Sequence, residues 1–375
     1  MKNIVIAPDS FKDSLTALTA TKIMKRAVIE VLPTCQVVQK PMADGGEGTL
    51  EALLESSKGV RVPIRCKGAL GEEIEAAYGI VNEGTAIIDC ATIAGLTQIP
   101  LEKRNPDFTT SYGVGEAMLD ALEKGCTSFI FGLGGSATND GGIGMLEALG
   151  MKAWRKNGSE LKGYGSDLLE IHKISLDGLD SRLRSVTIQV ACDVDNPLCG
   201  LRGASEVYGP QKGATADQVK KYDRAMTNFA DLLEDEVKES YRDVAGAGAA
   251  GGLGFAMLTI GASLVSGAKL IGDAAGLEKA IKHADLVITG EGQSDQQTLD
   301  GKAPGYIAML AQSYGVPIVL ISGSLSGNLD LLRAQFTGCF SIINKPLSLE
   351  ACIENADELL FEQTKSVIHF MNELL

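Results

Sequence analysis

Gly132-Leu-Gly-Gly-Ser-Ala-Thr-Asn-Asp-Gly-Gly-Ile-Gly144 is the stretch that most strongly indicates the fold. It follows the apolar run Phe129-Ile130-Phe131 and precedes the helix-like run Met145-Leu-Glu-Ala-Leu149. A strand, a loop rich in glycine and hydroxyl groups, and a helix start form the repeating unit of α/β domains. Glycine lets a ligand approach the backbone closely, and the free N–H groups at a helix start attract negative charge. The pattern therefore predicts a phosphate-binding loop.

Composition favours an α/β enzyme. The 375 residues suggest two domains, and 44 glycines with only 5% aromatic residues fit many tight strand-to-helix turns. The formal net charge of −14 argues against a nucleic-acid partner, because nucleic-acid phosphates require clustered Lys and Arg. The sequence has neither an apolar run of membrane-spanning length nor a signal peptide. Eight scattered cysteines without metal-site spacing predict reduced thiols and a cytoplasmic protein.

Both ends of the chain show a strand–loop–helix pattern, whereas the middle of the chain has a different pattern of predicted elements. Strand Asn3–Ala7 and helix Ala17–Val31 are predicted first, and similar units return from about residue 270. The middle begins with three predicted strands separated by hairpin-like breaks, at Gly59–Gly68, Glu73–Val81 and Thr85–Asp89. Insertion of one domain into another is tolerated. We therefore expect a discontinuous Rossmann-like domain with a parallel sheet, residues 1–60 and 270–375, and an inserted α/β domain with a mixed sheet, residues 61–269.

Four further segments carry structural predictions. Leu201–Asp217 is predicted to be a loop. Gly246–Gly254 contains a literal Gly-x-Gly-x-x-Gly, but it follows a charged helix rather than a strand and is predicted to be a flexible turn. Ala274–His283 and Leu349–Leu375 are each predicted to form one helix. The apolar spacing of the last helix favours core packing, with homodimer formation as the weaker alternative.

Five loops follow apolar strands, which is where ligands bind in open α/β sheets. They are Pro8–Lys12, Ala43–Thr49, Gly132–Gly144, Asp193–Pro197 and Gly290–Lys302.

The first two loops combine carboxylates with small residues. Asp9 and Ser10 fit a functional loop and a helix-entry turn equally well. Asp44 and Glu47 are interleaved with three glycines and would hold Mg²⁺ or orient a hydroxyl group. Three glycines exceed what a helix cap requires, so function is favoured for the second loop.

The last two loops carry further carboxylates. Asp193 and Asp195 begin like a calcium loop, but Pro197 breaks that pattern, which leaves an Asx turn and Mg²⁺ ligation as equal alternatives. Glu291 precedes a second carboxylate, with Ser294 between them. Lys302 begins the next predicted helix, where its charge opposes the helix dipole, so it is better explained as a phosphate ligand.

Histidine is too rare to support a hydrolase of the Ser-His-Asp or Cys-His type. The only three, His172, His283 and His369, lie outside the glycine-rich loops. A Walker A motif is also absent from the sequence. The acid–base groups in the loops are carboxylates, and this inventory suits phosphoryl transfer, in which an Asp often accepts the hydroxyl proton.

Together these loops resemble the bacterial type I glycerate kinase family. The residues that carry the resemblance are Ala7-Pro8-Asp9-Ser10-Phe11-Lys12, Met42–Thr49, Gly132–Gly142, Asp193–Pro197 and Gly290–Lys302. The resemblance implies ATP-dependent phosphorylation of D-glycerate with Mg²⁺, giving 2-phosphoglycerate, in a cleft between two α/β domains. The chain differs from many members at two positions, with Asp13 in place of glycine and Leu201 in place of proline.

We expect four roles for the loop residues on this hypothesis. Asp44, or alternatively Asp193, accepts the proton of the attacking hydroxyl group. Substrate is bound by Asp9, Ser10, Lys12, Gly45 and Gly46, with Lys12 holding the substrate carboxylate and counted among the catalytic residues. Nucleotide phosphates are bound by Gly134, Gly135, Ser136, Asn139 and Lys302. Mg²⁺ is held by residues among Glu47, Asp195, Glu291 and Asp295. The alternatives are a kinase for another small hydroxy acid or polyol, and a non-enzymatic nucleotide-binding module.

Overall fold

The computed structural model describes residues 2–46, 48–82, 84–299 and 301–374. The chain forms two compact units. The first comprises Met1–Asp44, Glu51–Gly59 and Ser266–Leu375, and the second comprises Gly45–Leu50 and Val60–Val265. Within the described ranges, every helix is too short or too polar to cross a membrane.

The elements alternate between strands and helices along most of the chain. The strands are β1 (Asn3–Ile6), β2 (Gln36–Gln39), β3 (Val60–Lys67), β4 (Glu73–Val81), β5 (Thr85–Asp89), β6 (Ser128–Gly132), β7 (Lys152–Arg155), β8 (Ile171–Ser175), β9 (Thr187–Ala191), β10 (Ser263–Val265), β11 (Leu286–Thr289), β12 (Gln293–Ser294), β13 (Ile318–Ser322), β14 (Ser324–Leu325) and β15 (Gly338–Ser341). The helices are α1 (Ala17–Val31), α2 (Thr49–Ser57), α3 (Cys90–Ala94), α4 (Tyr112–Glu123), α5 (Ile143–Ala148), α6 (Gly165–Leu168), α7 (Ala204–Tyr208), α8 (Ala216–Val237), α9 (Ala249–Thr259), α10 (Gly267–Ala274), α11 (Leu277–Ile281), α12 (Ala303–Ser313), α13 (Leu329–Arg333), α14 (Leu349–Glu354) and α15 (Ala356–Leu374).

The first unit is built on a parallel sheet with the strand order β15–β13–β11–β1–β2. Ile4 and Ile6 belong to a buried cluster that includes residues of α1 and α15. Val5 is equally buried but points to the opposite side of the pleat, so both faces of the sheet are covered. The chain places β2 on one side of β1 and β11 on the other. This reversal creates a switch point between β1 and β11, the usual ligand position in such sheets.

The second unit contains a mixed sheet with the strand order β10–β9–β6–β5–β4–β3. The pairs β3–β4 and β4–β5 are antiparallel, as expected for three successive strands joined by hairpins. The pairs β5–β6, β6–β9 and β9–β10 are parallel. The carboxyl ends of β5, β6 and β9 therefore lie at one edge of the sheet, and the glycine-rich loop begins there.

The predicted α/β class is confirmed, and several elements have nearly their predicted bounds. Helix α1 spans Ala17–Val31 as predicted, and Thr16 caps it by accepting a hydrogen bond from Thr19 N at 3.1 Å. The three strands predicted at the start of the middle region are β3, β4 and β5. These elements were predictable because their apolar periodicity and caps are local features.

Two segments predicted to lack regular structure are ordered parts of the second unit. Leu201–Asp217, predicted as a loop, contains α7 and a 3₁₀ turn at Pro210–Lys212. Gly246–Gly254, predicted as a flexible turn, is mostly buried and overlaps the start of α9, where Ala250, Gly251 and Gly252 adopt positive φ and kink the helix. Both segments are short and rich in glycine or proline, so their order depends on packing against the rest of the unit.

Two predicted helices are interrupted. The segment predicted as one helix at Ala274–His283 is divided between α10 and α11, with Gly276 at φ +64° before the second. The predicted C-terminal helix breaks at Asn355, whose side-chain amide donates to Ala351 O at 2.7 Å. A side chain that hydrogen-bonds the backbone competes with helix continuation. Leu375, the predicted end, lies outside the described residues.

Candidate active site

Three of the five predicted loops meet within the first unit, at the carboxyl ends of β1, β2 and β11. Asp9 N donates to Gly290 O at 2.8 Å, which joins the first loop to the fifth. Met42 N donates to Pro8 O at 2.9 Å, which joins the second loop to the first. Parallel strands place these loops at one edge of the sheet, next to the switch point.

Asp9 is the centre of a carboxylate cluster in these loops. Burial and the negative charge of Asp44 raise the pKa of Asp9 to about 7, and Glu291 adds to this effect. The hydrogen bond from Ser10 N to Asp9 Oδ1, at 2.6 Å, and the charge of Lys12 oppose the rise. The geometry therefore brings the predicted residues Asp9, Asp44 and Glu291 together, and leaves a carboxyl group that titrates near neutral pH.

Glu291 is oriented by two hydroxyl groups. Its Oε1 accepts hydrogen bonds from Ser294 Oγ at 2.9 Å and from Thr298 Oγ1 at 2.6 Å. Burial raises the pKa of Glu291, although these two hydrogen bonds and the charge of Lys302 favour its ionised form. Asp295 has a more local contact, since its Oδ1 accepts from Gln297 N at 2.8 Å at the start of a 3₁₀ turn. Of this pair, Glu291 is the carboxylate whose charge acts on Asp9.

Lys12 lies on a tight turn at the edge of this cluster. Phe11 and Leu15 close the turn with two backbone hydrogen bonds, of 2.8 and 2.9 Å. Asp13 within the turn adopts φ +63°, a left-handed conformation that favours glycine. A glycine would adopt this conformation without strain, which agrees with the glycine that the resemblance to glycerate kinases implies at this position. The turn leaves Lys12 exposed, and its ammonium group still acts on Asp9.

The second loop also supplies two glycines that pack in the second unit. Gly134 N donates to Gly45 O at 3.1 Å. A Cβ atom on Gly45 would lie 2.5 Å from the Cβ of Ala191, and one on Gly134 would overlap the Cα of Gly46. These glycines allow backbone segments to touch, so close packing accounts for their presence. Glu47, a predicted metal ligand of the same loop, lies outside the described residues.

The N-terminus of α5, predicted to bind a ligand anion, already holds the carboxylate of Asp140. Asp140 is fully buried, and its Oδ1 accepts from Gly142 N at 3.1 Å. Its Oδ2 accepts from Ser111 N at 2.8 Å and Ser111 Oγ at 2.7 Å. Ser111 Oγ also accepts from Met145 N in the first turn of α5. The protein's own carboxylate therefore satisfies this helix start.

The glycine pair 141–142 is explained by a second glycine-rich segment. Gly141 N donates to Gly251 O at 2.9 Å. A Cβ atom on Gly251 would overlap Thr138 O, and one on Gly252 would lie 2.7 Å from the Cα of Gly141. The two segments thus pack backbone against backbone. This contact is a structural reason for glycine that does not involve a ligand.

Sequence reasoning missed Lys212, which lies beneath the glycine-rich loop. Its side chain is buried, and Nζ donates to Thr138 O at 2.6 Å and Ser136 Oγ at 3.1 Å. The neighbouring Asn139 donates from Nδ2 to Ser205 Oγ at 3.1 Å. The available sequence signal was the run Pro210-Gln-Lys-Gly213. This run by itself predicts only a turn.

The fourth predicted loop follows β9 in the second unit, and its carboxylates have separate surroundings. Asp195 is exposed and pairs with Arg202 at 2.7 Å, which lowers the pKa of Asp195. Asp193 is also exposed. The positive charge of Arg202 next to Asp195 counts against a metal-ligand role for this carboxylate.

The carboxylates of these loops fit a Mg²⁺ ion only in part. Within the described ranges, no three His, Cys, Asp or Glu side chains are arranged to hold an ion by themselves. Mg²⁺ usually takes one or two carboxylates and completes its shell with substrate phosphates and water. Asp9, Asp44 and Glu291 can supply such carboxylates, and an ion bound there would depend on substrate phosphates for its remaining ligands.

The chain is similar to characterised proteins over nearly its whole length. Residues 4–372 match a model of the glycerate kinase family. The glycerate kinase of Bacillus subtilis is 44% identical over 97% of this chain and 96% of its own. The glycerate 2-kinase of Escherichia coli is 41% identical over the same shares. A solved structure described as glycerate kinase 2 from Salmonella typhimurium LT2 has a TM-score of 0.89 and 41% identity, covering 99% of this chain and 98% of that one.

Proposed function

This chain belongs to the glycerate kinase family, and we propose that it phosphorylates D-glycerate with ATP to give 2-phosphoglycerate. Family membership makes the chain a phosphotransferase that acts on an alcohol group. The observation that carries the proposal is the convergence of the loops after β1, β2 and β11 on Asp9. A partly buried carboxylate cluster at a switch point suits the deprotonation of a substrate hydroxyl group.

The proton of the attacking hydroxyl group passes to the Asp9–Asp44 pair in this proposal. The hydroxyl oxygen forms a bond to the γ-phosphorus, and the bond between that phosphorus and the leaving oxygen of ADP breaks. A base with a pKa close to the working pH combines availability with proton affinity. The pKa of Asp9 near 7 meets this requirement, and Asp44 is the carboxylate whose charge contributes most to it after burial. Asp193 is the weaker candidate because it is exposed.

The substrate carboxylate is assigned to the turn after β1. Lys12 supplies the positive charge, and Ser10 supplies a hydroxyl group next to Asp9. A carboxylate bound there adds negative charge next to the neighbouring acids, so its binding depends on Lys12 remaining charged. Lys12 would therefore position the substrate so that its hydroxyl group reaches the carboxylate cluster.

Nucleotide phosphates are assigned to residues that offer donors or positive charge. In the first unit, Lys302 precedes α12 and acts electrostatically on Glu291. In the second unit, the candidates in the glycine-rich loop are Gly135, Ser136 and Asn139, whereas the N–H group of Gly134 already donates to Gly45 O. Mg²⁺, when bound, neutralises phosphate charge in such reactions. Glu291 is proposed to help hold it, whereas the contacts of Asp195 and Asp295 make them weaker candidates.

The decisive experiment couples ADP release to a spectroscopic assay with D-glycerate as acceptor. Turnover with D-glycerate, followed by phosphorus NMR of the product, tests both the substrate and the position of the new phosphate. Turnover only with another hydroxy acid or a polyol would contradict the substrate assignment. Binding of ATP without any phosphorylated product across the substrate panel would favour the non-enzymatic module instead.

A further inference from the structure

Lys212 has no role in the function proposed above, yet it contacts the glycine-rich loop directly. It is 2% exposed, and it is the one lysine or arginine in the described residues that is buried to this degree. It ends the 3₁₀ turn Pro210–Lys212, which follows α7. Its ammonium group reaches Thr138 O at 2.6 Å and Ser136 Oγ at 3.1 Å. The loop is therefore tied to a buried cation.

The positive charge of Lys212 has no salt-bridge partner among the described residues. Within the parts of the chain that the structure describes, no carboxylate lies within 4.0 Å of its Nζ. Asp140 and Cys90 are the titratable groups that act on it, and Asp140 already accepts hydrogen bonds from Ser111 and Gly142. Burial lowers the pKa of Lys212 to about 7. An unbalanced buried cation is costly, and an anion nearby would remove much of that cost.

The contact with Lys212 also determines which hydrogen bonds Ser136 can make. An ammonium group has only donors, so Ser136 Oγ must accept from it. The single hydroxyl proton of Ser136 then points away from Lys212 and is available to another acceptor. Hydrogen bonds in a chain strengthen one another, so a hydroxyl group that accepts from a cation is a better donor. Ser136 is 6% exposed, and a hydrogen bond is electrostatically stronger in such a buried position than in water.

A second group in the loop also lacks a partner. Thr138 Oγ1 is fully buried and makes no hydrogen bond to any residue that the structure describes. Native proteins rarely leave a buried hydroxyl group unpaired. The N-terminus of α5 offers no substitute anion site, because Asp140 occupies it. Lys212 is the charged side chain that contacts this segment directly, at Ser136 and Thr138.

We infer that Lys212 is a positioning residue that makes Ser136 a hydrogen-bond donor to an oxyanion of the substrates. The oxyanion is a phosphoryl oxygen of the nucleotide or the carboxylate of the hydroxy acid. Lys212 acts through Ser136 Oγ and Thr138 O, which fix the position of the loop. The identity of the ligands rests on the proposed function, whereas the oxyanion site itself rests on this geometry.

The test compares Lys212→Met, Ser136→Ala and the double variant by calorimetric titration with ADP, D-glycerate and inorganic pyrophosphate. We expect Lys212→Met to weaken the binding of one oxyanion about tenfold or more, as for a hydrogen bond to a charged group. Ser136→Ala should weaken the same ligand, and the double variant should lose less than the product of the two factors. The KM that rises, for ATP or for D-glycerate, identifies the source of the oxyanion.

Lys40→Met is the matched control. Lys40 lies in the first unit and also donates to two backbone carbonyl oxygens, Ala275 O at 2.5 Å and Ser56 O at 3.4 Å. Its loss should lower the thermal midpoint without changing the affinity of the oxyanion that Lys212→Met weakens. Equal weakening by both variants would show a general stability effect and would overturn the inference.

The inference and the proposed function fail in different ways. A wild-type protein that does not turn over D-glycerate but binds ADP or pyrophosphate through Lys212 contradicts only the proposed function. Normal turnover with unchanged affinities and KM values in Lys212→Met overturns only the inference, as does a wild type that binds none of the three probes. Should Lys212→Met fail to fold, NMR of the wild-type Lys212 ammonium group decides. Its pKa must rise when the oxyanion binds, and an unchanged titration overturns the inference.

Discussion

Burial and the carboxylates of Asp44 and Glu291 raise the pKa of Asp9, and the charge of Lys12 lowers it. The result is a carboxyl group with a pKa near 7, far above its ordinary value of 3.8. As a base it is active when ionised, so we expect kcat/KM to rise with pH through about 7. Asp9→Asn should remove this limb of the profile and lower turnover. A wild-type profile that is flat between pH 5.5 and 8.5 would contradict the assignment.

The same shift affects stability in the opposite direction. Between about pH 4 and 7, folded Asp9 retains a proton that the unfolded chain has released. The unfolding free energy contributed by Asp9 therefore falls as pH rises through this window and levels off above it. Asp9→Asn should raise the thermal midpoint at pH 8 more than at pH 5. An equal change at both pH values would show that Asp9 does not titrate near 7.

Asp44→Asn tests the second member of the proposed proton-accepting pair. We expect a decrease in kcat of about 10²–10⁴-fold, the usual contribution of a general base. Circular dichroism and the thermal midpoint should stay close to those of the wild type because the replacement is isosteric. Asp330→Asn removes an exposed carboxylate of the same unit and serves as the control. Near-normal turnover of Asp44→Asn would exclude Asp44 as the base.

Asp13 tests the backbone explanation for a difference from other family members. Its φ of +63° disfavours side chains that branch at Cβ. Asp13→Val should lower the unfolding free energy by about 1–2 kcal/mol, measured by urea denaturation. Asp13→Gly should stay within about 0.5 kcal/mol of the wild type. If Val and Gly gave the same stability, the turn would not require its left-handed conformation.

At the scale of elements, the glycine-rich loop is held by its neighbours as much as by its own sequence. Asp140 and Ser111 occupy the start of α5, and Gly251 packs against the backbone of Thr138. Lys212 approaches from a turn that follows α7. The loop is therefore held in place by packing, and the donors that it can offer a ligand lie in the segment 134–139.

Gly251→Ala measures the contact between the two glycine-rich segments. Gly251 has φ +70°, and a methyl group there would overlap Thr138 O. Gly158 has a similar φ of +83° with open space around it, so Gly158→Ala isolates the backbone effect. We expect Gly251→Ala to cost about 1–3 kcal/mol more than Gly158→Ala, from denaturant unfolding. Equal losses would indicate that the two segments do not pack closely.

At the scale of the whole molecule, the first unit is assembled from both ends of the chain. Two strands of its parallel sheet come from the first forty residues, and the other three come from residues 286–341. The second unit contains all six strands of its mixed sheet before residue 266. The stability of the first unit therefore depends on contacts between segments that are hundreds of residues apart.

A chain that ends at Val265 tests this organisation. It retains the strands of the mixed sheet but only β1 and β2 of the parallel sheet, and two strands alone are marginally stable in water. We expect hydrogen exchange to show protected amides in β5, β6 and β9 and unprotected amides in β1 and β2. The full-length chain is the control. Protection of β1 in the shortened chain would contradict the strand order of the first unit.

Sequence patterns predicted the candidate site unevenly. Asp9, Asp44 and Glu291 were each proposed from the loops after apolar strands, and the structure brings them together. The helix-start anion site was predicted from a local pattern that fits any helix following a glycine-rich loop. Asp140 fills it through contacts with Ser111, which lies 29 residues away in sequence. A local pattern does not specify such a partner.

The sequence by itself determined the α/β class, the bounds of strongly periodic helices such as α1, and the carboxylate-rich loops after strands. These features depend on residues within a few positions of one another, and periodicity, caps and glycines record them directly. Only the tertiary structure decided that the loops after β1 and β11 adjoin, through a contact between Thr289 and Ala7 that spans 282 residues. It alone also placed Lys212 beneath Thr138, 74 residues away. The physical reason is that strand order and burial follow from packing of the whole chain, so the pKa values and available donors of the site are set by neighbours that no local pattern contains.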